Sequence, residues 1–182
     1  MLLLRSMLVL IFLMSLNGCV VGREASFRLY RSFLEDQEAD AEIIPTELID
    51  KIQSSYSIPV SDVRYFTNID TLSGNVVTIG KKIYFPNRML MSQAEHVRRL
   101  LHELRHVEQY GRDGDLFFQR YTTAAVAGSL NQLAEGVGRG VIDTHANFKY
   151  EDEAKAAEVE VFKKIRPSLC DERVCAGLQK FK

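Results

Sequence analysis

The chain carries no excess of positive charge: 23 lysines and arginines face 24 aspartates and glutamates, for a formal net charge of −1. Without a basic field, no nucleic-acid partner is implied. Long apolar runs are also scarce. The one near the start, around Met7 to Met14, is too short to cross a bilayer as a helix. Cysteine is limited to Cys19, Cys170 and Cys175. Cys170 and Cys175 have no second ligand pair nearby, which argues against half a zinc site and for a small-loop disulfide in an oxidising compartment. Gly136-Val137-Gly138-Arg139-Gly140 invites a phosphate-cradle reading, but it follows a helical pattern and lacks Gly-Lys-Ser/Thr. It reads as a loop on a cleft rim. Histidine is rare too, with 4 in 182 residues.

Two of those four stand in His102-Glu103-Leu104-Arg105-His106, and the chemistry of the chain is organised around them. Residues four apart on a helix lie one above the other, so His102 and His106 project from one face and can share a metal ion. Glu103 is turned about 100° from His102, within reach of a metal-activated water without being a ligand itself. Ser92 to Tyr110 holds no Gly or Pro and predicts one long helix, with Ser92 as N-cap and Gly111 as its end. Val97, Leu100, Leu104 and Val107 form its core face, and His106 and Gln109 share the face of His102. His96, about 120° away from His102, belongs to neither pair.

In chain order, residues 1–18 read as a secretory leader: Arg5 is the only charge before the apolar run, and small residues precede a cleavage point. Leu16-Asn17-Gly18-Cys19 resembles the lipobox of bacterial lipoproteins, which implies lipidation at Cys19. Val20 after that cysteine resembles lipoproteins sent on to an outer membrane. Cys19 to Lys182 is one domain's worth of chain, long enough to bury a core. Residues 19–45 read as a tether leading into a helix, and residues 46–182 as the domain proper. Pro45-Thr46 opens a short helix with Leu48, Ile49 and Ile52 as its apolar positions. Val63 to Ile69 and Val76 to Phe85 predict a β-hairpin turning at Leu72-Ser73-Gly74-Asn75, the second strand alternating as Val77, Ile79, then Lys81, Ile83 and Phe85 on one side after a bulge at Gly80. Leu116 to Leu133 predicts a helix with a small-residue stripe for close packing.

Tyr150 to Ile165 predicts the last helix. Its inward face is Ala154, Ala157, Val161 and Ile165, with Glu151 and Glu158 close by, while Asp152 and Glu153 point further away. Carboxylates on an apolar face are costly unless paired or bound to metal. A plainer reading is a helix N-terminus enriched in negative charge because of its dipole.

The His102-Glu103-x-x-His106 motif resembles that of the zincin metallopeptidases of gluzincin type, and its continuation to Gln109 is similar to a small bacterial peptidase-like branch of them. The similarity runs from about Thr71 to Ala157. It implies His102 and His106 as zinc ligands, Glu103 as general base, and a third ligand from a downstream helix. Tyr150-Glu151-x-Glu153-Ala154 resembles that helix, which implies Glu151 as the ligand, with Glu153 as runner-up. The extension that would supply a third histidine is absent, since Gln109 and Arg112 stand at its key positions. Relatives carry an acidic residue four places after the ligand to hold a motif histidine in its tautomer. Here that place is Lys155, so Asp143 or Glu158 would have to serve. His145 is either an oxyanion stabiliser or a surface residue.

The expectation is therefore an α+β protein, a small β-hairpin or sheet packed on a zincin-like helical core. It would be tethered in a bacterial envelope, lipid-anchored at an outer membrane facing the periplasm, and would hydrolyse a peptide or protein substrate with Zn²⁺. By the same resemblance, a strand beside the motif helix would dock an extended peptide, unless the hairpin only covers the back of that helix. The competing reading is a binding or assembly lipoprotein that keeps the metal site for structure and turns nothing over.

Overall fold

The computed structural model describes residues 20–72, 74–117 and 149–170. It is an α+β fold in which a four-stranded mixed sheet lies between an N-terminal helix and a pair of long helices. The elements in order are α1 (Val20–Glu35), β1 (Glu42–Ile43), α2 (Thr46–Ile52), β2 (Arg64–Phe66), β3 (Val77–Ile79), β4 (Lys82–Tyr84), α3 (Ala94–Asp113) and α4 (Lys149–Cys170). Short 3-10 turns at Gln53–Ser55 and Val60–Asp62 connect α2 to β2.

The sheet order is β1-β2-β4-β3. β3 and β4 form a hairpin whose register pairs Ile79 with Lys82, leaving Gly80 and Lys81 as a two-residue turn. Gly80 has φ 60°, and Lys81 is not in the positive-φ region, the pattern of a type II′ turn that needs Gly at its first position. The expected hairpin between Val63 to Ile69 and Val76 to Phe85 is thus corrected. The second run folds back on itself at Gly80, which is a turn and not a bulge, and β2 pairs with β4 in parallel. Leu72 to Asn75 still lies in a turn region, but it leads to the edge strand β3.

The turn decides which side chains face the motif helix. Tyr65, Ile83 and Thr78 stand opposite one another in register and share a face. Tyr65 and Ile83 pack in the main core with Leu100, Leu101 and Leu104 of α3. Val77 and Ile79, expected on the same side as Ile83, lie on the opposite face. There Ile79, Phe66 and Tyr84 meet Phe27 and Leu34 of α1. The phenyl rings of Phe66 and Tyr84 stack at 5.4 Å. α1 is locked on by Tyr30, whose hydroxyl donates to the Thr71 carbonyl at 2.9 Å, and by Lys82 and Tyr84, which both donate to Glu38 just beyond the helix. Within the stretch read as a tether leading into a helix, Val20–Glu35 is helical, because Phe27, Tyr30 and Leu34 recur at helical spacing and have a sheet face to cover.

α2 starts after Pro45 as expected, burying Leu48 and Ile52. α3 begins at Ala94, not Ser92. Its start is held by His96, whose Nδ1 accepts the Leu90 N–H at 2.9 Å. It also runs through Gly111 and stops at Gly114, where φ is 60° and the N–H returns to the Tyr110 carbonyl at 2.7 Å. α4 packs along α3 with Ala154, Ala157, Val161, Ile165 and Leu169 buried, and continues past Ile165 through Pro167 in its last turn. The expected leader, Cys19, most of the 116–133 helix, the Gly136 to Gly140 loop, Asp143, His145 and Cys175 lie outside the described residues. So does the pairing of Cys170, the last residue of α4.

Candidate metal centre

α3 is amphipathic in the sense the sequence implied: Val97, Leu100, Leu104 and Val107 are buried against the sheet and α4, and the four-residue spacing stacks two imidazoles on another face. The rings of His102 and His106 are 4.8 Å apart, edge to face, with their Nε2 atoms 3.1 Å from each other. α4 brings the carboxylate. Ala154 and Ala157 follow Glu151 on the buried face, and such small residues let the backbones of α3 and α4 come close enough for a glutamate to reach across.

Glu151 is 2% exposed and straddles the two rings, with Oε2 3.3 Å from His102 Nε2 and Oε1 3.1 Å from His106 Nε2. One ligand atom from each of the three residues can be chosen so that all lie within 4.8 Å, and among the described residues this is the group able to hold a metal ion. Glu153 is not part of it. Its carboxylate accepts from Gln109 at 3.1 Å and sits 3.6 Å from Arg112.

Glu103 points away from the core of α3 toward β3. It is 6% exposed, and its Oε2 accepts the hydroxyl of Thr78 at 2.8 Å. A charged carboxylate so placed needs a donor, and Thr78 provides one from the one polar position in the row Tyr65, Ile83, Thr78. Sequence reasoning missed Thr78 because a bulge at Gly80 would have turned it away. The available signal was a hydroxyl residue two positions before a Gly-Lys turn.

Two further side chains hold the histidines. His106 Nδ1 lies 2.7 Å from Gln109 Oε1. His102 Nδ1 lies 3.6 Å from Glu158 Oε2, an ion-pair distance, and Glu158 is paired on its other oxygen with Arg98 at 2.8 Å. Glu158, one of the two residues considered in place of Lys155, thus stands beside a motif histidine; the other, Asp143, lies outside the described residues. Burial alone would depress the His102 imidazole, but the carboxylates of Glu151 and Glu158 outweigh it and push it up to about 10. Its charge in turn helps Arg98 to hold Glu158 below the usual carboxylate range against its own burial. Phe117 closes one side, 5.8 Å from the His106 ring and 5.1 Å from that of Tyr150.

Among the described residues the arrangement is a nest of carboxylates around two imidazoles, short of positive charge. In the metal-free state a proton on His102 supplies it; a divalent cation would supply more and displace that proton. Glu103 is carried on the same helix turn as His102 and remains outside the ligand group, as a base would.

A family model described as eCIS core domain matches residues 43–114 of the chain. The matched stretch holds the sheet from Ile43 onward and α3, including Thr78, His102, Glu103, His106 and Gln109, and ends before α4 and Glu151. No curated protein and no solved structure matches the chain.

Proposed function

We propose that the protein is a zinc-dependent metallopeptidase of the bacterial envelope, with His102, His106 and Glu151 as ligands and Glu103 as general base. The observation that carries this reading is the convergence of Glu151 on both imidazoles, with Glu103 held separately by Thr78. Bonds of about 2.0–2.1 Å in a tetrahedron set ligand atoms roughly 3.3 Å apart. The two Nε2 atoms, 3.1 Å apart, suit that figure; Glu151 meets each ring through a different oxygen, at 3.3 and 3.1 Å, so one of the two would turn in to complete a two-nitrogen, one-oxygen donor set that leaves a fourth position for a reactant. The eCIS core domain match over the motif helix and Thr78 is compatible with a metallopeptidase-like domain.

When bound, zinc supplies Lewis acidity toward a water and toward a carbonyl. The chain's own residues do the rest. Glu103 takes the proton of the attacking water and delivers it to the leaving amine. Thr78 occupies one oxygen of Glu103, so the other is the one offered to the water. Gln109 and Glu158 orient the two histidines. Among the described residues β3 is an edge strand beside this helix, and an extended peptide could add to it as a further strand. Lipidation at Cys19 would keep the enzyme at the membrane, on the periplasmic side of an outer membrane.

The test compares native protein with Glu103→Gln, both loaded with zinc, on a mixture of envelope polypeptides, with new termini read by mass spectrometry. Termini present with the native protein and missing with the variant support the proposal and name the substrate. Identical patterns at equal zinc content would instead leave a structural metal site in a binding lipoprotein.

A further inference from the structure

Gln109 lies inside the α3–α4 contact and is 1% exposed. Its amide nitrogen donates to the Tyr150 carbonyl at 2.9 Å and to Glu153 Oε2 at 3.1 Å, and its oxygen lies 2.7 Å from His106 Nδ1. The first two partners are a carbonyl and a carboxylate, so the nitrogen must face them and the oxygen must face the histidine. An amide oxygen only accepts. Nδ1 of His106 is therefore the nitrogen that donates to Gln109, which keeps Nε2, the atom turned toward Glu151 and His102, as the one a cation can take.

The opposite tautomer has an attraction of its own, because Nε2–H of His106 would find Glu151 Oε1 3.1 Å away. In that state a ligand nitrogen and the ligand carboxylate satisfy each other and both are lost to a metal. Gln109 opposes this from the far side of the ring. The same amide grips α4 by the backbone of Tyr150, the residue before Glu151.

We propose that Gln109 is a positioning residue for a divalent cation, which through one amide makes the metal-ready tautomer of His106 and the seating of α4 a single event. The inference rests on reading the triad as a metal centre. Neither glutamate nor methionine can do both jobs. Glutamate accepts from Nδ1 but turns a lone pair on the Tyr150 carbonyl and adds charge beside Glu153; methionine fills the space and makes neither contact.

The experiment uses the whole protein and Zn²⁺, with affinity from chelator competition, imidazole tautomers from nitrogen-15 NMR of the zinc-free form, and amide hydrogen exchange along α4 with and without zinc. Native protein should show His106 protonated on Nδ1. Gln109→Met should shift it to Nε2, weaken zinc about 10- to 100-fold, the range for groups that orient a ligand, and lose much of the zinc-induced protection of α4. Gln109→Glu should also bind zinc more weakly. Native affinity in Gln109→Met overturns the proposal. So does a His106 that carries its proton on Nε2 and none on Nδ1 in the native protein, a measurement that needs no variant to fold. A native protein that takes up no zinc, yet shows the Nδ1 tautomer, overturns the metal-centre reading, and the proposal with it, while leaving the hydrogen-bond assignment intact.

Discussion

Separating the ligand from the base is the sharpest test of the centre, and the structure says how large each effect should be. A protein zinc site is worth about 10–16 kcal/mol shared among four ligands, so one carboxylate carries roughly 3 kcal/mol, or about a hundredfold in affinity. Glu151 meets both imidazoles, and neither Asp152, which is exposed, nor Glu153, which is turned to Gln109, can take its place without moving α4. Glu151→Ala should therefore bind zinc roughly a hundredfold more weakly in chelator competition. For the base, glutamine is a cleaner replacement than alanine. Its amide oxygen still accepts from Thr78, whereas Glu103→Ala would leave that buried hydroxyl unpaired at a cost of about 1–3 kcal/mol. Glu103→Gln should keep about one zinc per chain and lose roughly 10²- to 10⁴-fold in turnover. Native zinc affinity in Glu151→Ala, together with loss in Glu153→Ala, would refute the assignment of the α4 face. Loss of zinc from Glu103→Gln would show that Glu103 is a ligand.

His102 offers a check that needs no substrate. Its folded pKa of about 10 lies above the ordinary 6.5, so the stability it contributes to metal-free protein is fully present below about pH 6.5 and disappears as pH rises through about 10. Chelator-treated protein should lose melting temperature across that window more steeply than zinc-loaded protein, in which the ion replaces the proton; parallel curves would contradict this. Thr78→Val should leave zinc content unchanged and lower kcat with KM little altered, by roughly ten- to a hundredfold if a hydrogen bond of about 1.5–3 kcal/mol to a charged group orients the base. Thr78→Ser should restore most of it, and an equal loss in the serine variant would point to packing instead. Cys19→Ser should abolish partitioning into detergent; a variant that still partitions fully at mature length would reject the anchor.

What could be read from the residues was whatever depends on one helix at a time. The pairing of His102 with His106 follows from a spacing of four, and the burial of Val97, Leu100, Leu104 and Val107 from the same periodicity. The apolar side of α4 put Glu151 nearer the interior than Glu153, the resemblance made it the ligand of choice, and the structure brings that residue to the histidines. Pairings between distant segments were not legible. A Gly in a β run fits a bulge or a turn equally well, and choosing the bulge put Val77 and Ile79 on the wrong face and hid Thr78. The parallel contact of β2 with β4 depends on that same choice. Gln109 was seen on the histidine face, but its role needs the Tyr150 carbonyl of another helix. The end of α3 was misplaced because two glycines stand three apart, and only Gly114 adopts the positive φ that stops a helix.

The helix that begins at Val20 has one more consequence. A lipoprotein enzyme with a long slack leash sweeps a hemisphere and can meet substrates far from its membrane. Here the chain is helical from the residue after Cys19, and seven residues later Phe27 is already buried against the sheet. If Cys19 is acylated as proposed, the seven steps of helix from Val20 to Phe27, at 1.5 Å each, would leave about 10 Å between that anchor and the body of the protein. An anchor so short would make the bilayer part of the geometry of the proposed catalysis, with the metal centre held at a fixed height and acting on polypeptides that lie along the membrane surface or emerge from it.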